Sequence, residues 1–499
     1  MVSYTGPMKI LLIYPKYPDT FWSFKYALKF ISKKASFPPL GLLTVAAMLP
    51  GDWEKKLVDM NVAGLSDDDL RWADYVFISA MVVQKRSVME VLRKCHEFNV
   101  KVVAGGPLFT TGHEEFEGVD HFVLNEAENT LPAFLEDLMQ GQARKIYTSK
   151  EWPDIKKTPC PQWELIDQKK YASMSIQYSR GCPYNCEFCD IIILNGHRPR
   201  TKSGKQILEE LETIYGLGWR GGVFFVDDNF IGNKKTLKKE LLPFLIQWIK
   251  EKKYPFYFFT ETSINLSDDE DLIKLMVKAG FRRVFIGIET PNEDSLTECN
   301  KYLNKNRDLL ASVKKIQNLG LEVQGGFIVG FDSDTPSIFE KQIKFIQTSG
   351  IVTAMVGLLN APRGTRLYQR LKKEGRLLGT SSGDNTDFSL NFIPRMNKET
   401  LINGYKKILD TIYSPKHYYK RVQTFLKQYR PKKFDKKTYF KLCYLGAFLK
   451  SVWLLGIRGK ERLQYWKLIL WTLARRPYFI GIAISFAIYG FHFRKIAGI

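Results

Sequence analysis

The sequence predicts an α/β protein in three parts: a doubly wound sheet domain, a partial six-fold β/α barrel and an α-helical C-terminal region. Three observations predict it. Short apolar runs alternate with helical patterns between residues 9 and 139. A second alternating series, with six strand-like runs roughly 30–45 residues apart, occupies residues 175–360. From residue 394 the strand signals stop, and helical stretches rich in Tyr and Lys take over.

The first series opens with KILLIYP (9–15), a short apolar run ending at a proline, which reads as a buried strand. FPPLGLLTVAAML (37–49) reads as a loop and then a helix. KKLVDMNV (55–62), YVFISAMVV (75–83) and KVVAGGPLF (101–109) are the next three strands, with a helix around 86–98. HFVLNEAENTLPAFLEDLM (121–139) supplies a fifth strand and a helix. Strands that are apolar throughout are buried on both faces, so the sheet is parallel with helices on each side. Residues 1–150 are therefore read as a Rossmann-like domain, with its ligand at the carboxyl ends of the strands.

EWPDIKKTPCPQW (151–163) has three prolines and no periodicity, and reads as a linker. The second series of strands is SIQYS (175–179), GVFFVDDN (222–229), FYFFTETS (256–263), RVFIGIET (283–290), EVQGGFIVGF (322–331) and TAMVGLLN (353–360). Helical patterns such as SGKQILEELETIYGLG (203–218) and SDDEDLIKLMVKAG (267–280) lie between them. The second of these should start at Ser267 as N-cap and stop at Gly280. Six units over residues 165–390 make a partial, TIM-like barrel, two units short of the closed form. Residues 391–499 are the helical third part.

Charge and cysteine usage narrow the function. Of the net +22, residues 401–499 carry +18, from 21 Lys and Arg against Asp410, Asp435 and Glu461. Such a basic region meets phosphate, in nucleic acid or in anionic lipid. The seven cysteines are odd in number and clustered, unlike a secreted disulfide framework. MVSYTGPMKILLIYP has no basic stretch leading into a long apolar run and a cleavage site. Both features point to a reducing cytosol.

Cys182, Cys186 and Cys189 fall within eight positions, in CPYNCEFC. Thiolates suit zinc or iron–sulfur clusters. Structural zinc needs a fourth ligand, and His197 lies eight residues on. A cubane cluster held by three thiolates leaves one iron without a protein ligand, free to take a cosubstrate. The position just past the first barrel strand, at the mouth, favours the cluster.

CxxxCxxC in this place, with aromatic Phe188 before the third cysteine, resembles the radical S-adenosylmethionine (SAM) superfamily. The resemblance implies a 4Fe–4S cluster on Cys182, Cys186 and Cys189 and an electron donor such as ferredoxin or flavodoxin. It implies SAM contacts from Phe188, Asp228, Glu261, Glu289 and Gly326, although Gly325-Gly326 also fits a bulge and Glu289 an ion pair. A doubly wound domain ahead of such a barrel resembles the cobalamin-binding class, and implies cobalamin contacts from Ser79, Met81, Gly105 and Gly106. No histidine precedes His96, so the first strand–helix loop offers no histidine to the cobalt.

FPPLGLLTVAAMLP, WADYVFISAM, CEFCDI with HRPRTK, ETPNEDSL with CNK and a following Asn, and LLNAPRGTRLY resemble a subfamily with a C-terminal helical extension. Its relatives are hopanoid methylases, bacteriochlorophyll side-chain methylases and tetraether-lipid ring-forming enzymes. The resemblance implies methylation of an unactivated carbon of a lipophilic substrate, an isoprenoid lipid or a tetrapyrrole. The alternative it leaves is radical ring closure or C–C coupling without methyl transfer. It assigns no catalytic side chain. A tRNA methylthiolating enzyme would need three more cysteines upstream, and only Cys95 and Cys160 are there, so nucleic acid is not the expected partner. KLCYLGAFLKSVWLLGI (441–457), LQYWKLILWTLARR (463–476) and the uncharged run Pro477–Phe493 suggest helices lying on an anionic membrane surface, with a helical pack on the barrel as the alternative. The last run is shorter than the roughly 20 apolar residues of a span.

Overall fold

In the computed structural model the described residues are 7–384, 386–431 and 442–499, the side chains of 442–444 excepted. Residues 432–441 of the expected basic region and the Cys443 side chain lie outside them.

The first sheet contains β1 Lys9–Tyr14, β2 Glu54–Asp59, β3 Tyr75–Ser79, β4 Lys101–Gly105, β5 His121–Val123 and β6 Ile146–Tyr147. All pair in parallel in the order β2-β1-β3-β4-β5-β6. The strand β6 was not expected: two residues carry no period to read. Helices Leu40–Met48 and Ala127–Met139 bury Leu42, Ala46, Leu131 and Phe134 against one face. Helix Lys85–Glu97 buries Val88, Val91 and Leu92 on the other. The strand order reverses between β1 and β3, which leaves a crevice at the carboxyl ends.

The linker is not loose, since Trp163 is fully buried and Gln162 N donates to Leu43 O at 3.0 Å. Then follow β7 Ser173–Ile176, β8 Ser179–Arg180, β9 Arg200–Thr201, β10 Gly222–Phe225, β11 Tyr257–Thr262, β12 Phe281–Glu289, β13 Glu322–Val329 and β14 Ala354–Leu358. β8 and β9 form a small antiparallel ribbon. The other six form a parallel sheet in sequential order, with β7 and β14 as its edges, which is the expected partial barrel. Helix Gly204–Gly216 starts in a capping box at Ser203 as its pattern implies. The cap of helix Glu270–Lys278 is a correction. Asp269, not Ser267, accepts from Leu272 N at 3.0 Å, because Ser267 is taken into the buried 3₁₀ turn Ile264–Asp268. Gly280, at φ +99°, ends that helix.

Edge strands leave carbonyls to satisfy. Helices Lys398–Tyr413 and Pro415–Gln428 satisfy those beside β14. Tyr405 and Tyr413 hydroxyls donate to Val356 O and Ala354 O at 3.1 and 2.5 Å, and Arg421 donates to Val352 O at 3.3 Å. Helix Ile480–Ala497, expected at a membrane surface, packs into the protein instead. Phe493 stacks on Phe21 at 4.2 Å, and His492 lies 3.0 Å from Phe21 O. By length and composition Pro477–Ala497 could cross a membrane, but 44% of its apolar window is buried inside the protein.

Side chains alternate along each barrel strand. Val223, Phe225, Phe258, Val284 and Ile286 enter the core beneath the helices. Phe224, Phe259 and Phe285 therefore face inward, and all three are only partly buried. Phe37 lies 5.2 and 6.0 Å from Phe224 and Phe259, and Trp22 lies edge-on to Phe285 at 5.4 Å. The N-terminal segment thus floors the barrel with aromatic rings. Below them Arg283 and Glu322 pair at 3.7 Å, closed off by Tyr489 of the last helix.

Candidate active site

The cysteine loop grows out of the β8–β9 ribbon, and two acids at the end of β10 fix it. Asp227 accepts from Tyr178 N at 3.1 Å and from Ser179. Asp228 accepts from Gly181 N at 2.9 Å and from Asn195 Nδ2 at 3.0 Å. Gly181 has φ +95°, and a Cβ there would stand 2.9 Å from the carbonyl oxygens of Asn195 and Arg198, so the close turn requires glycine. The loop's far side is held by Arg370 on Glu187 at 2.8 Å, and Glu187 N donates to Cys299 O at 2.9 Å. Phe188 packs 6.2 Å from Phe331, in a satellite apolar cluster with Leu367 and Leu359. Asp228 and Phe188, expected near SAM, are thus engaged in shaping the loop.

Cys182 and Cys189 each lie within electrostatic reach of Cys186, and all three within reach of Lys301. Burial raises all three thiols, and Lys301 works against it. Among the described residues no three His, Cys, Asp or Glu side chains converge into a preformed metal cage. His197 is exposed, which leaves it a loop residue.

Glu289 and Lys301 form the second feature. Glu289 sits at a bulge in β12 with φ +64°, is buried, and pairs with Lys301 at 2.8 Å. A Cβ on Gly287 would lie 2.2 Å from Glu289 Oε1 and 3.1 Å from Lys301 Nζ, so this glycine makes room for the pair. Asn304 Nδ2 donates to the carbonyls of Gly287 and Ile288 at 3.0 Å each. Burial lowers the Lys301 ammonium, but Glu289 and the thiols outweigh it and hold it above its ordinary value. Sequence reasoning noticed CNK and the following Asn but gave Lys301 and Asn304 no task.

Glu261 ends the inward column of β11, above Phe259. Burial, then the charges of Asp228 and Asp227, push its carboxyl up to about 8. Burial also pushes Asp227 up to about 7, against the bonds from Ser179 and Tyr178. Gly326 on β13 pairs with Gly287 on β12, and a Cβ there would meet Phe285 Cζ at 2.8 Å. The barrel is therefore layered, with Glu261, Glu289 and Lys301 at the mouth and an aromatic layer directly beneath.

The first domain meets this mouth through ions no motif announced. Arg180, beside the cysteine loop, pairs with Glu126 at 2.6 Å and Glu128 at 2.8 Å, and Arg200 pairs with Glu126 at 2.6 Å. At the carboxyl ends of β3 to β5 a cavity is lined by Ser79, Gly105, Gly106, Asn125, Leu42 and Leu131. A Cβ on Gly106 would fall 2.5 Å from Ser79 Oγ, and one on Gly105 would fall 2.6 Å from Val123 O. Met81, expected beside the same ligand, does not line this cavity and is 43% exposed.

Residues 176–346 match the radical SAM superfamily, residues 31–135 the B12 binding domain, and residues 365–499 a domain of unknown function, DUF4070. A hopanoid C-2 methylase of Rhodopseudomonas palustris is 33% identical, over 94% of this chain and 90% of its own. The chain belongs to the cobalamin-dependent radical SAM family. An uncharacterized methyltransferase of Synechocystis sp. is 41% identical over 97% of this chain and 91% of its own. The cobalamin-dependent radical SAM enzyme OxsB shares the fold, with a TM-score of 0.64 at 15% identity over 95% of this chain and 76% of that one. As an enzyme of this family the protein takes a 4Fe–4S cluster, SAM and cobalamin as cofactors.

The residues present suit those groups. Three soft donors sit on one loop with a cation beside them. The Glu261 carboxyl is one to which no described group donates. Gly105 and Gly106 line the cavity, and neither position has room for a Cβ.

Proposed function

We propose that the protein is a C-methylase of lipophilic molecules, adding a methyl group to an unactivated carbon of an isoprenoid lipid or tetrapyrrole. The observation that carries the reading is the layering of the barrel. The acids and Lys301 that suit a polar cosubstrate lie above rings that suit an apolar acceptor. The near full-length likeness to the hopanoid C-2 methylase supports it, as does a 25% likeness to a bacteriochlorophyllide d C-8(2)-methyltransferase of Chlorobaculum tepidum.

The cluster, SAM and cobalamin supply the electron, the hydrogen-abstracting radical and the methyl group, chemistry that no side chain can perform. Cys182, Cys186 and Cys189 would hold the cluster, in a loop that Asp227 and Asp228 keep in shape. Glu261, and Glu289 with Lys301, would bind the amino and carboxylate groups of SAM near Gly326. Ser79, Met81, Gly105 and Gly106 would receive cobalamin. Trp22, Phe37, Phe224, Phe259 and Phe285 would seat the acceptor and keep water from the radical. The enzyme would work in the cytoplasm at a membrane surface, fed by ferredoxin or flavodoxin.

The test is expression in a host that makes hopanoids or tetrapyrroles but lacks this methylation. Extracts should gain a species heavier by one methyl in place of hydrogen, and Cys182→Ala/Cys186→Ala/Cys189→Ala should abolish it. A species that loses hydrogen without gaining carbon would replace methylation with ring closure.

A further inference from the structure

The two helices Leu442–Ile457 and Arg462–Arg475 form a hairpin with a face that no described element covers. On the helical stretch Leu442–Ile457, the residues Leu445, Leu449, Trp453 and Ile457 recur at every fourth position and are 44–58% exposed. Ser451 and Leu455, on the opposite side, are fully buried. On helix Arg462–Arg475, Leu463, Trp466, Leu470 and Leu473 repeat with helical spacing and are 37–71% exposed, while Leu468 and Thr472 face the core. A periodic apolar stripe normally faces protein; here two of them face outward.

The charges around them have one sign. Lys450, Arg458, Lys460, Arg462, Lys467 and Arg475 are all exposed on the same two helices and their turn. The single acid in residues 442–499 is Glu461, which is buried and pairs with Arg494 at 2.7 Å. Among the described residues none of these six cations pairs with a carboxylate. Apolar stripes with indoles inside a purely basic rim complement an anionic bilayer surface. Each helix is shorter than the roughly 20 residues of a span, so the hairpin suits lying in the interface plane.

We propose that this hairpin face docks the enzyme onto bilayers carrying anionic lipid. The lipophilic-substrate reading gives the docking its purpose, but the docking itself rests on the hairpin alone. The test uses the full chain, kept anaerobic, with phosphatidylcholine vesicles and with vesicles about a quarter phosphatidylglycerol. Flotation should recover protein with the anionic vesicles. Neutralising Lys467 or Arg475 should weaken partition about fivefold each. Leu449→Asp/Leu463→Asp/Leu470→Asp should weaken it about tenfold or more. The circular dichroism of this variant should be unchanged, since all three positions are exposed. A milder Leu→Ser triple should give an intermediate loss. Tryptophan emission should shift to the blue on binding, and the shift should shrink in Trp453→Phe/Trp466→Phe. The proposal is overturned if wild type ignores anionic vesicles or if the Asp triple binds them as well as wild type does. It is also overturned if dilute wild type self-associates through this face and the triple does not. The vesicles hold no acceptor, so the result stands whether or not methylation is found.

Discussion

Lys301→Met probes the mouth of the barrel most sharply. Lys301 and Glu289 stand 2.8 Å apart with side chains 17% and 9% exposed. At an effective dielectric of about 20 the pair attracts by about 6 kcal/mol, most of it offset by the lost hydration of both ions. Removing the lysine leaves Glu289 buried without its cation, at a cost of about 3–5 kcal/mol. Lys301→Met/Glu289→Gln removes both charges and should recover at least about half of that. The assay is urea unfolding of the cluster-free protein under anaerobic conditions, read as a double-mutant cycle. The Lys301 ammonium is held above its ordinary 10.5, so its contribution is complete below that pH and is lost only as pH rises past it. A single-variant loss below about 1 kcal/mol, or a double variant no better than the single, would refute the buried-pair argument.

Other outcomes follow from the same geometry. Glu261 is raised from 4.5 to about 8, so between those values the native state holds a proton that the unfolded chain has lost. Stability should fall as pH rises through that window, by at most about 1.4 kcal/mol per unit from this one group, and Glu261→Gln should remove that share while the share of Asp227, raised to about 7, remains, as read by urea titrations at several pH values. Gly106→Ala, at φ +85° and with its Cβ 2.5 Å from Ser79 Oγ, should lose corrinoid on gel filtration while keeping cluster absorbance, at a cost of about 1–3 kcal/mol. Trp22→Ala should deepen the floor beneath Phe285 and shift product ratios toward bulkier acceptors by about tenfold in competition assays.

What was legible in the sequence was what is local. Each barrel strand carries its own apolar run, and CPYNCEFC is contiguous, so both could be read directly. Ser267, Asp268 and Asp269 all cap well, and only the preceding turn decides that Asp269 does so. The rest depends on distant partners. Arg180 meets Glu126 across 54 positions, and Phe21 meets His492 across 471. Nothing in FWSF announces that Trp22 will lie against Phe285. The last helix read as interfacial because its composition is apolar; its place inside the protein follows from the aromatic rings waiting there. The exposed stripes of the hairpin became visible only when the fold showed which faces it had already used.

The central claim is best tested by label transfer in vitro. Reconstituted enzyme, reductant and SAM carrying a deuterated methyl group would be incubated with hopanoid and tetrapyrrole acceptors, and the products read by mass spectrometry. The account predicts an acceptor that gains the intact labelled methyl, with none formed by the triple cysteine variant. Turnover of SAM to 5′-deoxyadenosine with an acceptor that loses hydrogen and gains no label would contradict it.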